Sequence, residues 1–432
     1  MAGYLRAFLP PNPTGPDRWT IQGGDYRWYL PDRLASASAD LSAETRELLD
    51  HVTDAVATMG RAFEATPLPA LYATLLRSES IASSQIEGVR EDPARVLLAG
   101  LSEDLVPAGS SAILINRNID SVRKAVESLA ESSPWKAQDI DGLHKSLMPG
   151  GPHGFRDRLV WISGTNPIRA KYVAPLPDLV PELMEDLVGY LETTDDPILV
   201  QAALSHAQLE TIHPWVDGNG RTGRALIQAV LGRSGLIGGG VLPISVVLGQ
   251  RDSGYISALN GFRYDPKRGG SAAQAHDLFI RFFFMAALDA VTVASDLMEQ
   301  VRSVAARWAE KTAGVRAHSA QHRLLTLLAD RPVLTVSYAQ EHIEYSDSSG
   351  EKRRYSRMAI GKAFAELERK GIVARTQVRD RGSIVYSARE IVDLLVLSER
   401  RLGSPTLDTA AAPLTATARR RVPPLPGHLR SH

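Results

Sequence analysis

Twelve consecutive residues, His213-Pro214-Trp215-Val216-Asp217-Gly218-Asn219-Gly220-Arg221-Thr222-Gly223-Arg224, gather side chains well suited to chemistry. An imidazole titrates near neutrality, so His213 can take a proton from a hydroxyl group. Pro214 disfavours helical backbone at His213, which ends the preceding helix and leaves the ring at a turn. Gly218, Asn219 and Gly220 come just before a helix, where backbone N–H groups can converge on an anion at the positive end of the helix dipole. Arg221 and Arg224, with Thr222 and Gly223 between them, share one side of the first turns. Two cations there are misplaced by about 0.3–1 kcal/mol each unless an anion sits among them, and a polyphosphate corrects the imbalance. Asp217 on the same turn offers a hard oxygen ligand to Mg²⁺, which takes one or two carboxylates together with phosphate oxygens. The plain alternative, a solvated glycine turn before a surface helix, leaves this density of chemistry-bearing residues unexplained.

The segment resembles the signature of the Fic (Fido) family, His-Pro-Phe-x-Asp/Glu-Gly-Asn-Gly-Arg-x-x-Arg, with Trp215 where Phe is usual. The larger aromatic is expected to strain local packing more than chemistry. The resemblance runs from about residue 20 to about residue 300. It implies a mainly α fold and transfer of AMP from ATP, with Mg²⁺, to a Ser, Thr or Tyr hydroxyl of a target protein. By resemblance His213 is the general base and Asp217 the Mg²⁺ ligand. Gly218, Asn219 and Gly220 form the phosphate nest, Arg221 holds phosphate oxygens, Arg224 takes the γ-phosphate, and Thr222 and Gly223 complete the nucleotide-binding turn. Tyr255 and Ile256 fall where the family often has an aromatic pair near adenine, although plain helix packing explains them equally well. Trp161, Ile162, Ser163, Gly164 and Tyr172 correspond to a β-hairpin flap that holds the target by strand addition.

Ser83-Ser84-Gln85-Ile86-Glu87-Gly88 resembles the inhibitory-helix signature of Fic enzymes that carry their own brake. Taken alone it is a weak motif, readable as a helix end capped by Gly88. Yet a carboxylate is disfavoured at a helix C-terminus, so Glu87 calls for a cationic partner. The resemblance implies that this partner is Arg224, with Ser83 on the same helix. ATP would then bind unproductively. The same Glu could orient water for AMP removal, which keeps the reverse reaction open. Family members with this brake often associate, so a homodimer is also open.

The elements that must position these residues are mostly helical. Leu48, Val52, Val56 and Met59 keep one face apolar, as do Ala112, Ile115, Ile119 and Val122. A helix starts near Pro177 to Pro181, and Ile198 to Thr211 carries the chain to His213. Only Arg158 to Pro175 looks like short strands. Residues 1–40 have neither helical nor strand period and suggest an arm; 41–307 form the catalytic domain, with the inhibitory helix near 80–88 and the flap at 158–175. The helical register is expected to fail between Ala305 and Ser319.

Residues 319–395 read as an α+β winged-helix domain: a helix at Gln321 to Leu328, an irregular Ser337 to Arg354, a long helix at Tyr355 to Lys370, then a hairpin. Lys352, Arg353, Arg354, Arg357, Arg375, Arg379 and Arg381 make a phosphate-contacting set for DNA, or a solvated face on a protein-binding module. Residues 402–432, rich in Pro, Ala and Thr, are expected to be disordered.

Lys plus Arg and Asp plus Glu number 49 each, so no whole-chain field favours nucleic acid or a membrane. With no cysteine, disulfides, thiolate metal sites and cysteine nucleophiles are excluded. Pro10, Pro11 and Pro13 interrupt any signal peptide, and the apolar run Leu278 to Val293 carries Arg281 and Asp289, so no membrane association and a cytoplasmic location are expected. A DNA-binding regulator that senses nucleotide is the main alternative, but a sensor has no need of the base His213. A metal hydrolase using His206 and His213 lacks a third ligand, and His206 reads as a packed helix residue. His144, His153 and His276 show no constellation.

Overall fold

The computed structural model describes residues 2–15, 17–35, 38–65, 69–151, 153–317, 319–346, 350–378 and 382–402. In chain order its strands and α-helices are β1 (Gly3–Leu9), α1 (Arg18–Gln22), β2 (Gly24–Leu30), α2 (Ala43–Ala65), α3 (Pro69–Ile86), α4 (Pro93–Leu101), α5 (Ser111–Glu131), α6 (Ala137–Leu147), β3 (Trp161–Ile162), β4 (Tyr172–Val173), α7 (Val180–Thr193) and α8 (Ile198–Ile212). There follow α9 (Asn219–Arg233), α10 (Ile244–Gln250), α11 (Asp252–Phe262), α12 (Ala272–Lys311), α13 (Ala320–Asp330), β5 (Val333–Leu334), α14 (Val336–His342), β6 (Glu344–Ser346), β7 (Lys352–Arg354), α15 (Arg357–Arg369), β8 (Ala374–Gln377), β9 (Ile384–Ser387) and α16 (Arg389–Leu402). The fold is mainly α. Arg379, Arg381 and residues 403–432 of the expected tail lie outside the described residues.

The chain divides into two compact units that interleave along the sequence, unlike the consecutive boundaries expected above. Residues 1–64, 121–240 and 251–289 make the first; 65–120, 241–250 and 290–432 make the second. The segment with the inhibitory-helix resemblance therefore clusters with the C-terminal elements.

At the centre of the first unit is α8, whose residues Leu199 to Ile212 are all buried, except partly Gln201. A helix buried on every side has no solvent face to offer, so its neighbours surround it: α7, α9 and α11 all pack against it. Leu183, Met184, Leu187 and Leu191 give α7 its buried stripe, and Pro181 with Glu182 marks its first turn. Val52, Val56 and Met59 do the same for α2. Phe279, Ile280, Phe283 and Phe284 of α12 are buried. This helix is apolar and long enough to cross a bilayer by composition alone, but those side chains are spent on the protein's own core.

Residues 3–30, read above as having neither helical nor strand period, hold two strands. β1 and β2 pair antiparallel over seven residues, from Gly3↔Leu30 to Leu9↔Gly24. Pro10, Pro11 and Pro13 fall in the connection, where no ladder N–H is required. The helical register also persists beyond Ala305, because Ala305 to Lys311 holds good helix formers and neither Gly nor Pro.

In the second unit α3 packs against α10, α13 and α16. Glu79 of α3, 6% exposed, accepts hydrogen bonds from Ser245 N at 2.8 Å and Ser245 Oγ, supplying the negative group that the start of α10 favours. Further on, β5, β9 and β8 form an antiparallel sheet of that order, and Phe364 of α15 stacks on Tyr386 of β9 at 4.1 Å. Ser319, Thr335 and Ser356 each accept from an amide three residues on and so start α13, α14 and α15. The stretch expected to be irregular holds α14 and the β6–β7 hairpin; the cap at Thr335 was a readable signal for α14.

Candidate active site

A helix end leaves its last carbonyls without intrahelical partners, and at the end of α8 each is accounted for. Leu209 O accepts from His213 N at 2.8 Å. Glu210 O accepts from Arg263 Nη2 at 3.1 Å, and Thr211 O from the Tyr172 hydroxyl. Ile212 O and His213 O accept from Arg156, through Nη2 at 3.3 Å and Nε at 2.8 Å. The remaining Arg156 bonds run to Pro175 O at 2.7 Å and Arg158 O at 3.0 Å, so one guanidinium ties this helix end to both sides of the β3–β4 hairpin. Both arginines are 5% exposed. Burial lowers the Arg156 pKa to about 10, which leaves it charged at neutral pH. Arg263 also lies 3.8 Å over the Tyr172 ring.

His213 is held at φ 53°, ψ 59°, a left-handed conformation uncommon for a residue with a side chain. Its ring is partly exposed, with Nδ1 at 3.3 Å from Glu210 O and 3.9 Å from the Glu210 carboxylate. A proton on Nδ1 directed at Glu210 leaves Nε2 with the basic lone pair. Glu210, 6% exposed, is placed to favour the imidazolium that proton uptake would create. His213 thus has an orienting partner that its own motif did not reveal.

The turn after it is closed by side chains. Asn219 Oδ1 accepts from Trp215 N at 3.0 Å while its Nδ2 donates to Trp215 O at 2.9 Å. Trp215, 2% exposed, causes no strain: its ring stacks on His144 at 4.2 Å, and Nε1 donates to Asp141 at 3.0 Å. A Phe could not make that bond. His144 in turn donates from Nε2 to Asp217 O at 3.0 Å, and burial lowers its pKa. It belongs to the site after all, as a support that no spacing in the sequence indicates.

Gly218 caps α9 at φ 82°; a Cβ there would meet Met148 Cγ at 2.8 Å, so glycine is needed twice over. Gly223 lies against His206, where a Cβ would come within 2.9 Å of Nδ1. The first amides of α9, at Asn219, Gly220 and Arg221, have no intrahelical acceptors and gather at the positive end of the dipole. Arg224 is 1% exposed and Thr222 fully buried. Arg221 pairs with Asp217 at 3.4 Å, yet its buried Nε has no hydrogen-bond partner among the described residues. Asp217 keeps its side chain 68% exposed. An uncommitted buried donor beside an open carboxylate suits a phosphate group with a hard cation. Among the described residues no three His, Asp or Glu side chains cluster to bind a metal by themselves, so a cation here would need phosphate oxygens.

His206 is fully buried, with Nε2 at 2.8 Å from the Tyr255 hydroxyl. Burial, then the charge of Arg224, lowers its pKa to about 3. It is a packed, neutral histidine, as read from the sequence. Tyr255 is itself buried and Ile256 half exposed, so the expected adenine pair points two ways. In the hairpin, Trp161 pairs with Val173 and Ile162 with Tyr172. Trp161, Ile162, Ser163 and Gly164 are exposed, whereas Tyr172 is turned inward. In the second unit, Ser83 is buried near the end of α3, and Glu87 is exposed just beyond it, before Gly88 at φ 81°.

Residues 134–231, which span His144, Arg156, the hairpin and the His213 to Arg224 segment, match the Fic/DOC family. The chain is 37% identical over 110 residues to a probable protein adenylyltransferase of Aquifex aeolicus, a match covering 25% of this chain and 30% of that one. It is 33% identical over 127 residues to the protein adenylyltransferase Fic of Nematostella vectensis, covering 27% and 28%. These matches span less than a third of either relative. A crystal structure of a Fic family protein from Desulfovibrio desulfuricans G20 superposes with a TM-score of 0.49 at 22% identity, covering 81% of this chain and 97% of that one.

Proposed function

We propose, from the match of residues 134–231 to the Fic/DOC family and from the site's geometry, that this chain transfers AMP from ATP to a hydroxyl group of a target protein. The observation that carries the reading is the pairing of an oriented imidazole, His213, with an amide-rich helix start whose Arg221 has an uncommitted donor. Nε2 of His213 takes the proton of the target hydroxyl as its oxygen bonds to the α-phosphorus. The bond from that phosphorus to the bridging oxygen of the β-phosphate breaks, and pyrophosphate leaves. Arg221, Arg224 and the first amides of α9 hold the triphosphate and the charge that grows on the departing group. Asp217 would hold Mg²⁺, which neutralises phosphate charge when bound. Adenylyltransferase relatives support ATP as the nucleotide and a protein as acceptor.

Glu87 we read as a brake that pairs with Arg224 and denies it to the γ-phosphate, on the strength of the Ser83 to Gly88 resemblance and the place of Glu87 at the end of α3. AMP removal from the modified protein would use the same groups. The exposed Lys352, Arg353 and Arg354 of β7 favour a polyanionic partner, DNA among them, for the C-terminal elements.

Incubation with α-labelled and, separately, γ-labelled ATP tests the transfer. Label from α only, stronger for Glu87→Gly and lost for His213→Ala, is expected. Label from γ, or label that survives His213→Ala, would refute AMP transfer by this base; no rise with Glu87→Gly would remove the brake.

A further inference from the structure

The β3–β4 hairpin is only two residue pairs long, Trp161↔Val173 and Ile162↔Tyr172. Two isolated strands of this length do not hold a shape in water, and the turn adds Ser163 at φ 60°, a strained value for a residue with a Cβ. Something outside the hairpin must fix it. The β1–β2 hairpin, in the same compact unit, does so at two places. At the turn, the Asp17 carboxylate accepts from Asn166 Nδ2 at 2.9 Å and from the Thr165 hydroxyl, while also capping α1 through Thr20 N at 2.8 Å. Asn166 is 2% exposed, and its Oδ1 accepts from Arg169 N at 3.1 Å, which sets the fold of the turn. The Arg169 guanidinium lies 5.5 Å over Trp19. At the base, Tyr29 of β2 meets Tyr172 of β4 at 6.4 Å in a buried cluster with Ala2 and Ala174.

The opposite side is open. Trp161 and Ile162 remain 38% and 37% exposed, and β3 pairs with β4 alone among the described strands. An unpaired strand edge flanked by exposed apolar side chains takes up an extended backbone. Tyr172 also donates its hydroxyl to Thr211 O, two residues before His213. One side chain thus connects the braced strand to the helix end bearing the base.

We propose that the N-terminal hairpin, through Asp17–Asn166 and Tyr29–Tyr172, is a positioning part of the target-binding site that fixes the docking strand β3 relative to His213. The occupant is an extended, accessible segment of the target protein. This rests on β3 being the target-docking strand.

The test uses the full chain carrying Asn166→Ala, which removes the Asn166 half of the tether to Asp17 and leaves the α1 cap, and Thr165→Val, which removes the Thr165 half at an exposed residue. Hydrogen exchange is read over residues 160–173, expected to be about tenfold faster with α8 and α9 unchanged. In a Glu87→Gly background, AMP transfer from α-labelled ATP to β-casein, an unfolded acceptor, is expected to show an acceptor KM about fivefold higher with an unmoved KM for ATP. Exchange equal to wild type in both variants overturns the brace. Faster exchange with an unchanged acceptor KM overturns its part in target binding. Absence of label in every chain, the Glu87→Gly parent included, refutes the transferase reading instead, and the exchange result still decides the brace.

Discussion

His206 shows at the scale of one residue how burial, not sequence position, sets chemistry. It sits seven positions before His213, inside the helix that His213 caps, yet its pKa lies near 3, against an ordinary 6.5. An unfolded chain protonates this imidazole as the pH falls through about 6.5, whereas the folded chain keeps it neutral. Its contribution to stability is therefore fully present above about 6.5 and is lost progressively as the pH falls toward 3. His144 and His276, both lowered chiefly by burial, act in the same direction. One such histidine steepens the fall by at most about 1.4 kcal/mol per pH unit. Urea unfolding at pH 7.5, 6.5 and 5.5 should show a declining midpoint in the wild type and a shallower decline in His206→Gln; parallel declines would contradict the assignment. The distinction between the two histidines was legible, because Pro214 marks His213 as a turn residue and nothing interrupts the helix at His206. The fit of Trp215 was not legible: its partners His144 and Asp141 come from α6, more than 70 positions away, and no local pattern announces them.

Elements position the base through the carbonyls at the end of α8. A helix of apolar and small residues is easily read from Ile198 to Ile212, but its buried end creates a demand for donors that only the folded chain can meet. Arg156 and Arg263 meet it from a loop and from the end of α11, and neither belongs to a recognisable motif. Replacing Arg156 by Lys keeps the charge but forfeits most of the five-donor fork that reaches four carbonyls. We expect a loss of about 2–4 kcal/mol in stability by denaturant unfolding, since buried carbonyls would be left unmatched. His213 depends on the same clamp for its left-handed backbone, so kcat for AMP transfer should fall further than KM for ATP rises. A variant with wild-type stability and kcat would show that the carbonyls find water or other donors and that the clamp is dispensable. Hairpin β1–β2 escapes the sequence for a different reason: prolines in its connection mask two strands whose paired residues lie 15 to 27 positions apart.

For the whole molecule, the decisive fact is that α3 shares its unit with the C-terminal elements and packs directly on α13 and α16. Reading the chain as consecutive domains concealed this, since 65–120 and 290–432 meet only after the chain has passed through the other unit. With Glu87 as a brake, the helix that leads directly into it is held partly by α16, so a change in α16 should reach the brake without touching the site's own residues. Leu395 is 1% exposed on α16. Leu395→Ala removes buried methyl groups and should cost about 2–5 kcal/mol within that unit. Hydrogen exchange in α3 should then quicken while α8 and α9 keep their protection, and automodification with α-labelled ATP should rise toward the level of Glu87→Gly. The double variant separates the causes: if Leu395→Ala acts through the brake, adding it to Glu87→Gly gives no further rise. A rise that adds in full would mean that α16 influences transfer by some route other than Glu87, and quickened exchange in α3 with no rise at all would mean that loosening this helix does not release the site.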